Sequence, residues 1–324
     1  MENEDIKGFI EKQLTDWELL KNNTLQLQNI QTKYFKINNH SVCIQFNPAR
    51  IGSTLAKTDK QSIEKRPCFL CAQNQPKEQK RMELTMNLNL CVNPFPIFCG
   101  HLTLPHREHT PQQILPYLNE VKDVYKKLPL NYALFYNGPY CGASAPDHFH
   151  FQAVLSEYIP IITQYNQLKE SAEPIMQIQE TSCSQTEGGA LYYIKDYICP
   201  IFAIESNEKN YQELLDKLFS YLPKDNEEWE PKVNIFLWKT KEDKEIRGLI
   251  IPRSKHRPDC FYAEGTEQLI VSPGALDMAG VIITTREEDY LKITGNDVKR
   301  IIEKTGISFE EAEKIVHNIK NYHQ

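Results

Sequence analysis

The sequence predicts an α+β fold made of two related halves, and three observations carry that reading. Short apolar runs with strand character recur along all 324 residues. Helical stretches with one apolar side lie among them. A faint internal repeat relates "CGHLTLPHREHTPQQI" to "IRGLIIPRSKHRPDCF": each has Gly, an apolar strand, Pro, a basic cluster and His. The boundary falls in the polar, weakly patterned stretches "ESAEP" and "ETSCSQTEGGA", giving halves of residues 1–175 and 176–324.

In chain order, residues 5–22 read as a helix, with Ile6, Phe9, Ile10, Leu14, Trp17 and Leu20 on one side. "HSVCIQF" is a strand that stops at Asn47-Pro48. Residues 89–104 read as a strand, a break at "NPFP" and the strand "GHLTL". A helix is expected over 111–127, with Thr110 as N-cap and Pro111 at its first position. "YALFYN" is a strand that runs into the small-residue loop "NGPYCGASAPD", and "HFHFQAVL" is the next strand. In the second half, "LYYIKDYI" and "IFAI" are strands and 207–221 is a helix. "KVNIFLW" and "RGLIIP" form a hairpin across the charged turn "KTKEDKE", and "GVIITT" is one more strand. Helices over 296–304 and 308–321 close the chain, the second opened by a Ser308–Glu311 capping box.

Composition narrows the function classes. Hydrophobic residues make up 40% and charged residues 25%, as in soluble globular domains. The net charge of −6 leaves no basic excess for holding nucleic acid by its phosphates. The first residues, "MENEDIKGFIEKQ", are acidic and lack the apolar core of a signal peptide. No apolar run approaches the roughly 18 residues of a membrane span. A cytoplasmic location is therefore expected, with no membrane partner. The nine cysteines then read mostly as buried thiols.

The chemistry concentrates in "DHFHFQAV", residues 147–154. At strand spacing His148, His150 and Gln152 share one face, while Phe149, Phe151 and Ala153 point into the core. The preceding loop holds Gly138, Gly142 and Ser144 after Asn137. Small residues let backbone N–H groups approach an anion, and the Asn and Ser side chains add hydrogen-bonding groups. An imidazole beside such a cradle can attack phosphorus and carry the group covalently. The bland alternative is a half-exposed strand that happens to hold histidines.

"NPFPIFCGHLTLPHREH" followed by "YNGPYCGASAPDHFHFQ" resembles the histidine-triad (HIT) superfamily. It is most similar to the branch with His-x-His-x-Gln, which comprises the galactose-1-phosphate uridylyltransferases, diadenosine tetraphosphate phosphorylases and GDP-L-galactose phosphorylases. The likeness is strong over 89–155, weaker over 43–71, and returns in "VSPGALDMAGVIITTREEDY". It implies a HIT-like antiparallel sheet with flanking helices, the second half lacking the His motif. It also implies a nucleotidyltransferase or phosphorylase acting on an NDP-sugar or dinucleoside polyphosphate. His150 would be the nucleophile, forming a nucleotidyl-histidine that orthophosphate or a sugar phosphate then takes up. Gln152 stands where the hydrolase branch has a third histidine. An amide cannot move a proton at neutral pH, which favours transfer over hydrolysis. Asn137 and Ser144 match the family's phosphate-contacting residues, with Gly142 in the same loop. Asp147 departs from the uridylyltransferases, which run directly from Pro to His; the phosphorylases vary there. The branch often forms dimers, so a homodimer is the analogous assembly.

The Cys68-x-x-Cys71 spacing can place two thiolates on one zinc, half of a tetrahedral site; a chance spacing is the alternative, and a redox pair is disfavoured because no helix clearly starts at Cys68. The resemblance to the uridylyltransferases implies that His109 and His148 complete it, with zinc in a structural role. The phosphorylases generally lack that metal, in which case His148 would be a support for the strand. Arg50, in "IQFNPARIGS", lies in a segment that resembles a nucleotide-contacting part of the phosphorylases. Its guanidinium fork fits an oxyanion, and a solvated arginine is the alternative. Asn93 is read as a turn residue; Lys255 and His256 could reach a substrate from the second half, but are read as exposed. The rival functions are a HIT-type hydrolase, a nucleotide-binding protein without chemistry, and a zinc-stabilised interaction protein.

Overall fold

A computed structural model describes residues 3–178, 188–225, 230–239 and 246–321. The charged turn after Lys239 and most of "ETSCSQTEGGA" lie outside the described residues. There are thirteen strands among the described residues: β1 (Gln31–Ile37), β2 (His40–Phe46), β3 (Met82–Glu83), β4 (Asn89–Val92), β5 (Leu102–Pro105), β6 (Tyr132–Asn137), β7 (His150–Leu155), β8 (Glu173–Ile178), β9 (Gly189–Ile194), β10 (Ile201–Ser206), β11 (Val233–Lys239), β12 (Ile246–Pro252) and β13 (Val281–Thr284).

Ten of them form one sheet in the order β3-β4-β5-β7-β6-β11-β12-β10-β9-β8. Its named pairings are antiparallel. Read inward from each edge, the two halves have one order, β3-β4-β5-β7-β6 and β8-β9-β10-β12-β11. A helix precedes the inner strand in each, Leu118–Lys127 in the first half and Glu208–Tyr221 in the second. The halves join where β6 pairs with β11. This order sets β12 against β7, not against β5 as the repeat in the sequence does. The mismatch has a local cause: β5 and β12 both end in a proline before a basic stretch, whereas strand order depends on partners far away in the chain.

The sheet separates two cores. On one face Leu134, Tyr136, Phe149, Phe151, Ile235 and Leu237 pack against the helices Asn3–Asp16, Leu118–Lys127, Glu208–Tyr221 and Phe309–Asn321. On the other, Phe135, Val154, Phe236 and Leu249 meet a second sheet of order β1-β2-β13 and the helices Ala275–Met278 and Gly295–Thr305. The alternation read from "HFHFQAV" is therefore that of the structure, with its phenylalanines in the first core.

Several local readings change. The helix read over 5–22 is two, Asn3–Asp16 and Glu18–Gln26, broken where Trp17 is extended. The strand β1 was not evident, because its Gln31–Lys36 stretch is polar and mostly solvent-facing. Asn38 and Asn39, with φ of 50° and 67°, turn it tightly into β2, a geometry asparagine tolerates. The helix expected from 111 begins only at Leu118, after a 3₁₀ turn at Leu115–Tyr117. Thr110 does not cap it; its carbonyl accepts the Phe149 N–H at 2.7 Å, and the following residues run along the end of β7. The capping box at Ser308 forms as read, with Glu311 N–H on Ser308 Oγ and Ser308 N–H on Glu311 Oε2. No described helix is long and apolar enough to cross a membrane, and the described cysteines are free thiols.

Candidate active site and metal centre

β7 begins at His150, and one backbone contact fixes that residue's ring. His150 Nδ1 lies 2.9 Å from the His148 carbonyl. A carbonyl only accepts, so Nδ1 carries the proton and Nε2 keeps its lone pair. Among the described residues Nε2 has no hydrogen-bond partner. The residue is 5% exposed, and burial lowers the imidazole pKa from its ordinary value, so the ring is held neutral.

Gln152 lies on the same face, one strand repeat along. Its Oε1 is 2.9 Å from His101 Nε2. His101 Nδ1 already accepts the Ile97 N–H at 3.2 Å, so Nε2 is the donor. Burial and then the nearby Arg50 push the His101 pKa down to about 3, which keeps this neutral tautomer across the ordinary pH range. The carbonyl end of Gln152 is thus occupied and its NH₂ is left to donate outward. Asn137 repeats the arrangement. Its Oδ1 accepts from the Ala275 backbone at 2.7 Å and from Asn234 Nδ2 at 3.0 Å, leaving its NH₂. Asn234 is in turn held by Arg253, whose Nη1 donates to its Oδ1 at 2.6 Å. Arg253 spends its other donors on the carbonyls of Thr305, Pro273, Lys255 and His256. It is a buried brace, not a free cation.

The loop 138–147 closes over this end of the sheet. Gly142 has a φ of +94°, and a Cβ there would sit 2.4 Å from Gly274 Cα, so only glycine fits. Ser144 is half-buried; its carbonyl accepts from Arg66 at 3.0 Å, and its hydroxyl makes no hydrogen bond among the described residues. Arg50 is partly exposed and donates to the Phe95 carbonyl at 2.9 Å, and its charge acts on His101 and Asp277. Asp277 caps the turn before its short helix through the Gly274 N–H at 2.9 Å, and burial raises its pKa to about 6. Asn93 shapes the "NPFP" turn by accepting the Phe95 N–H at 3.0 Å. His256, read as exposed, has both ring nitrogens buried without hydrogen bonds, and its pKa is lowered to about 4 by burial.

Cys68, Cys71, His109 and His148 converge in a second cluster whose donor atoms all lie within 4.8 Å of one another. His148 Nδ1 is 3.5 Å from each sulfur, and His109 Nδ1 is 3.3 Å from Cys71 Sγ. Tetrahedral zinc, with Zn–S of about 2.3 Å and Zn–N of about 2.0–2.1 Å, separates S from N by about 3.5 Å. The outer nitrogens are also engaged. His148 Nε2 donates to the His106 carbonyl at 2.9 Å, and His109 Nε2 is 3.6 Å from Asp147 Oδ2. Such contacts orient imidazoles toward a metal. Asp147 also meets Arg66 at 3.3 Å, so this extra carboxylate serves the cluster. The four residues fit a divalent metal.

The yeast Ap4A phosphorylase Apa2 in complex with AMP matches this architecture with a TM-score of 0.64, over 95% of this chain and 97% of that one, at 16% identity. The fold is HIT-like. The same yeast protein in complex with Ap4A matches with a TM-score of 0.56 over 95% of this chain and 99% of that one, at 17% identity. Residues 9–155 match the family profile described as a domain of unknown function, DUF4922. A search of curated proteins found no match to the sequence.

His101, Asn234 and Arg253 were not singled out in the sequence. His101 had a signal: it precedes Thr103 by two, and Thr103 stands opposite Gln152 in the β5–β7 register. Asn234 and Arg253 had none, since their partners lie far away in the chain.

Proposed function

We propose that the protein is a nucleotidyltransferase of phosphorylase type, with residues 1–175 carrying the chemistry and 176–324 completing the site. The observation that carries this is the His150 ring, with its proton held on Nδ1 and its Nε2 lone pair unpartnered. The likeness in fold to a protein whose structures hold AMP and Ap4A supports a substrate with a phosphoanhydride. Nε2 attacks the α-phosphorus of an NDP-sugar or dinucleoside polyphosphate. The P–N bond forms as the P–O bond to the leaving phosphate or phosphosugar breaks, and the leaving oxygen takes the electron pair. Orthophosphate or a sugar phosphate then attacks the same phosphorus and releases Nε2. The NH₂ groups of Gln152 and Asn137, with the Ser144 hydroxyl and the loop at Gly142, hold the phosphoryl oxygens, and Arg50 balances their charge. With no acid or base at position 152, the adduct passes to the acceptor in preference to water.

Cys68, Cys71, His109 and His148 would hold a structural zinc. When bound, it fixes the chain just before the nucleophile to the loop at 68–71. The test of the whole reading is a panel of radiolabelled NDP-sugars and dinucleotides incubated with the protein. Label should remain on the denatured wild type and be absent from His150→Ala, while nucleotide affinity persists. Full turnover by that variant would refute the mechanism.

A further inference from the structure

The ladder between β6 and β7 runs from Tyr132 opposite Leu155 to Phe135 opposite Gln152. Two residues on, Asn137 and His150 should face each other across the next repeat, and no backbone pairing between them continues the ladder. A side chain fills the place. Gln112 Oε1 accepts the His150 N–H at 2.8 Å. Its Nε2 donates to the His150 carbonyl at 3.1 Å and to the Asn137 carbonyl at 2.9 Å. The amide therefore stands in for a rung and holds the two strands apart where the His150 ring and the Asn137 amide share a face.

Gln112 is 0% exposed and is itself anchored on several sides. Its N–H donates to the Pro146 carbonyl at 3.2 Å, and its carbonyl accepts from the Tyr136 hydroxyl at 3.1 Å. The Tyr136 hydroxyl oxygen also pairs with Oε1 of Glu230 in the second half, whose other oxygen accepts the Ile114 N–H at 2.8 Å. An amide so fully used, on three backbone groups of two site residues, is not a filler of the core.

We propose that Gln112 is a positioning residue for the transfer reaction: it sets the backbone of His150 and Asn137 at the separation the phosphoryl group requires. This rests on the reading of His150 as nucleophile. Without the wedge, the buried peptide groups would lose partners and the strands would close or slip. Misplacement of a nucleophile by about 1 Å costs on the order of 100-fold in rate.

The test is single-turnover labelling, using whichever nucleotide of the panel labels the wild type. Gln112→Met keeps the length and removes all three hydrogen bonds. Labelling should slow by about 100-fold while affinity for the same nucleotide stays within about threefold, the split expected of misplacement. Ile250→Val, a core truncation in β12, serves as the control for stability alone and should label at the wild-type rate. If Gln112→Met does not fold, Gln112→Glu keeps the acceptor for the His150 N–H, loses both donors and carries the same expectation. Wild-type labelling by the Gln112 variant, or equal losses of affinity and rate, would overturn the proposal alone. A wild type that no nucleotide labels would overturn the His150 reading and this proposal with it.

Discussion

β7 and β12 hold the same place in the two halves of the large sheet, yet their sequences have gone opposite ways. Beyond Arg247 near its start, β12 is apolar on both faces: Ile246 and Ile250 enter one core, Leu249 and Ile251 the other. β7 fills one core with Phe151 and Ala153, just after Phe149, but presents His150 and Gln152 on the opposite face. A strand covered on both sides can only contribute stability. A strand whose polar face is left open at one end can host chemistry, provided other elements satisfy its buried groups. The second half supplies that provision through Asn234, Arg253 and Glu230. Those residues tie the second half to Asn137, Tyr136 and Ile114 of the first.

Substitutions at the two strands should separate these roles, and the largest effect is expected at His150. His150→Ala should lower transfer by about 10⁴-fold or more, with little change in unfolding free energy. Ile250→Ala should do the reverse. It should cost about 2–5 kcal/mol in denaturant unfolding and leave the rate per folded molecule unchanged. A rate loss in the β12 variant comparable to that at His150 would break the contrast. Next is the metal. Cys68→Ser should abolish bound zinc, measured by elemental analysis of the purified protein. A chelator should lower the melting temperature of the wild type and leave that of Cys68→Ser unchanged. A wild type that binds no zinc at micromolar free metal would leave His148 as a plain support for the strand.

A smaller effect concerns the contact between the halves. Glu230 is buried against Tyr136 and Ile114, and burial raises its pKa from 4.5 to about 7. The folded state thus keeps a proton that the unfolded chain releases above about 4.5. Stability from this group is fully present below the unfolded value and is lost as pH rises through the folded one. The shift corresponds to at most about 3 kcal/mol. Denaturant melts between pH 5 and pH 8 should show the decline in the wild type and a flatter profile in Glu230→Gln. Parallel profiles for both proteins would mean that Glu230 is not the group responsible.

Much of this was legible in the sequence, for identifiable reasons. Strands such as Tyr132–Asn137 are short apolar runs bounded by turn residues, and the alternation of "HFHFQ" is a local property that the fold cannot reverse without burying two histidines in the first core. The Cys68, Cys71, His109 and His148 set came from a resemblance, and the structure brings those four together. Gln112 was hidden because "HTPQQI" satisfies the local rules for a helix start. Whether that segment becomes a helix depends on Phe149, Asn137 and His150, which approach from elsewhere in the chain. Arg253 and Asn234 were hidden for the same reason, and the correspondence in place of β7 and β12 was masked by a better local match at β5.

The finest probe of the contrast is Gln152, where one side chain is expected to separate transfer from hydrolysis. His101 Nε2–H holds Gln152 Oε1, so the amide can offer a ligand only a neutral donor. A histidine at this position can accept the same hydrogen bond through one ring nitrogen and use the other to exchange a proton with water or a leaving group. Gln152→His should therefore raise hydrolysis relative to phosphorolysis by about tenfold, below the ~10²–10⁴ that a fully positioned acid–base group contributes. The measurement is product analysis with and without orthophosphate. The expected sign is specific: total turnover falls or holds, and the fraction of nucleoside monophosphate formed without phosphate rises. An unchanged product ratio would mean that the amide's lack of a titratable proton does not protect the adduct. The protection would then have to come from exclusion of water by the loop 138–147, a role that Gly142→Ala, by displacing that loop from Gly274, would expose.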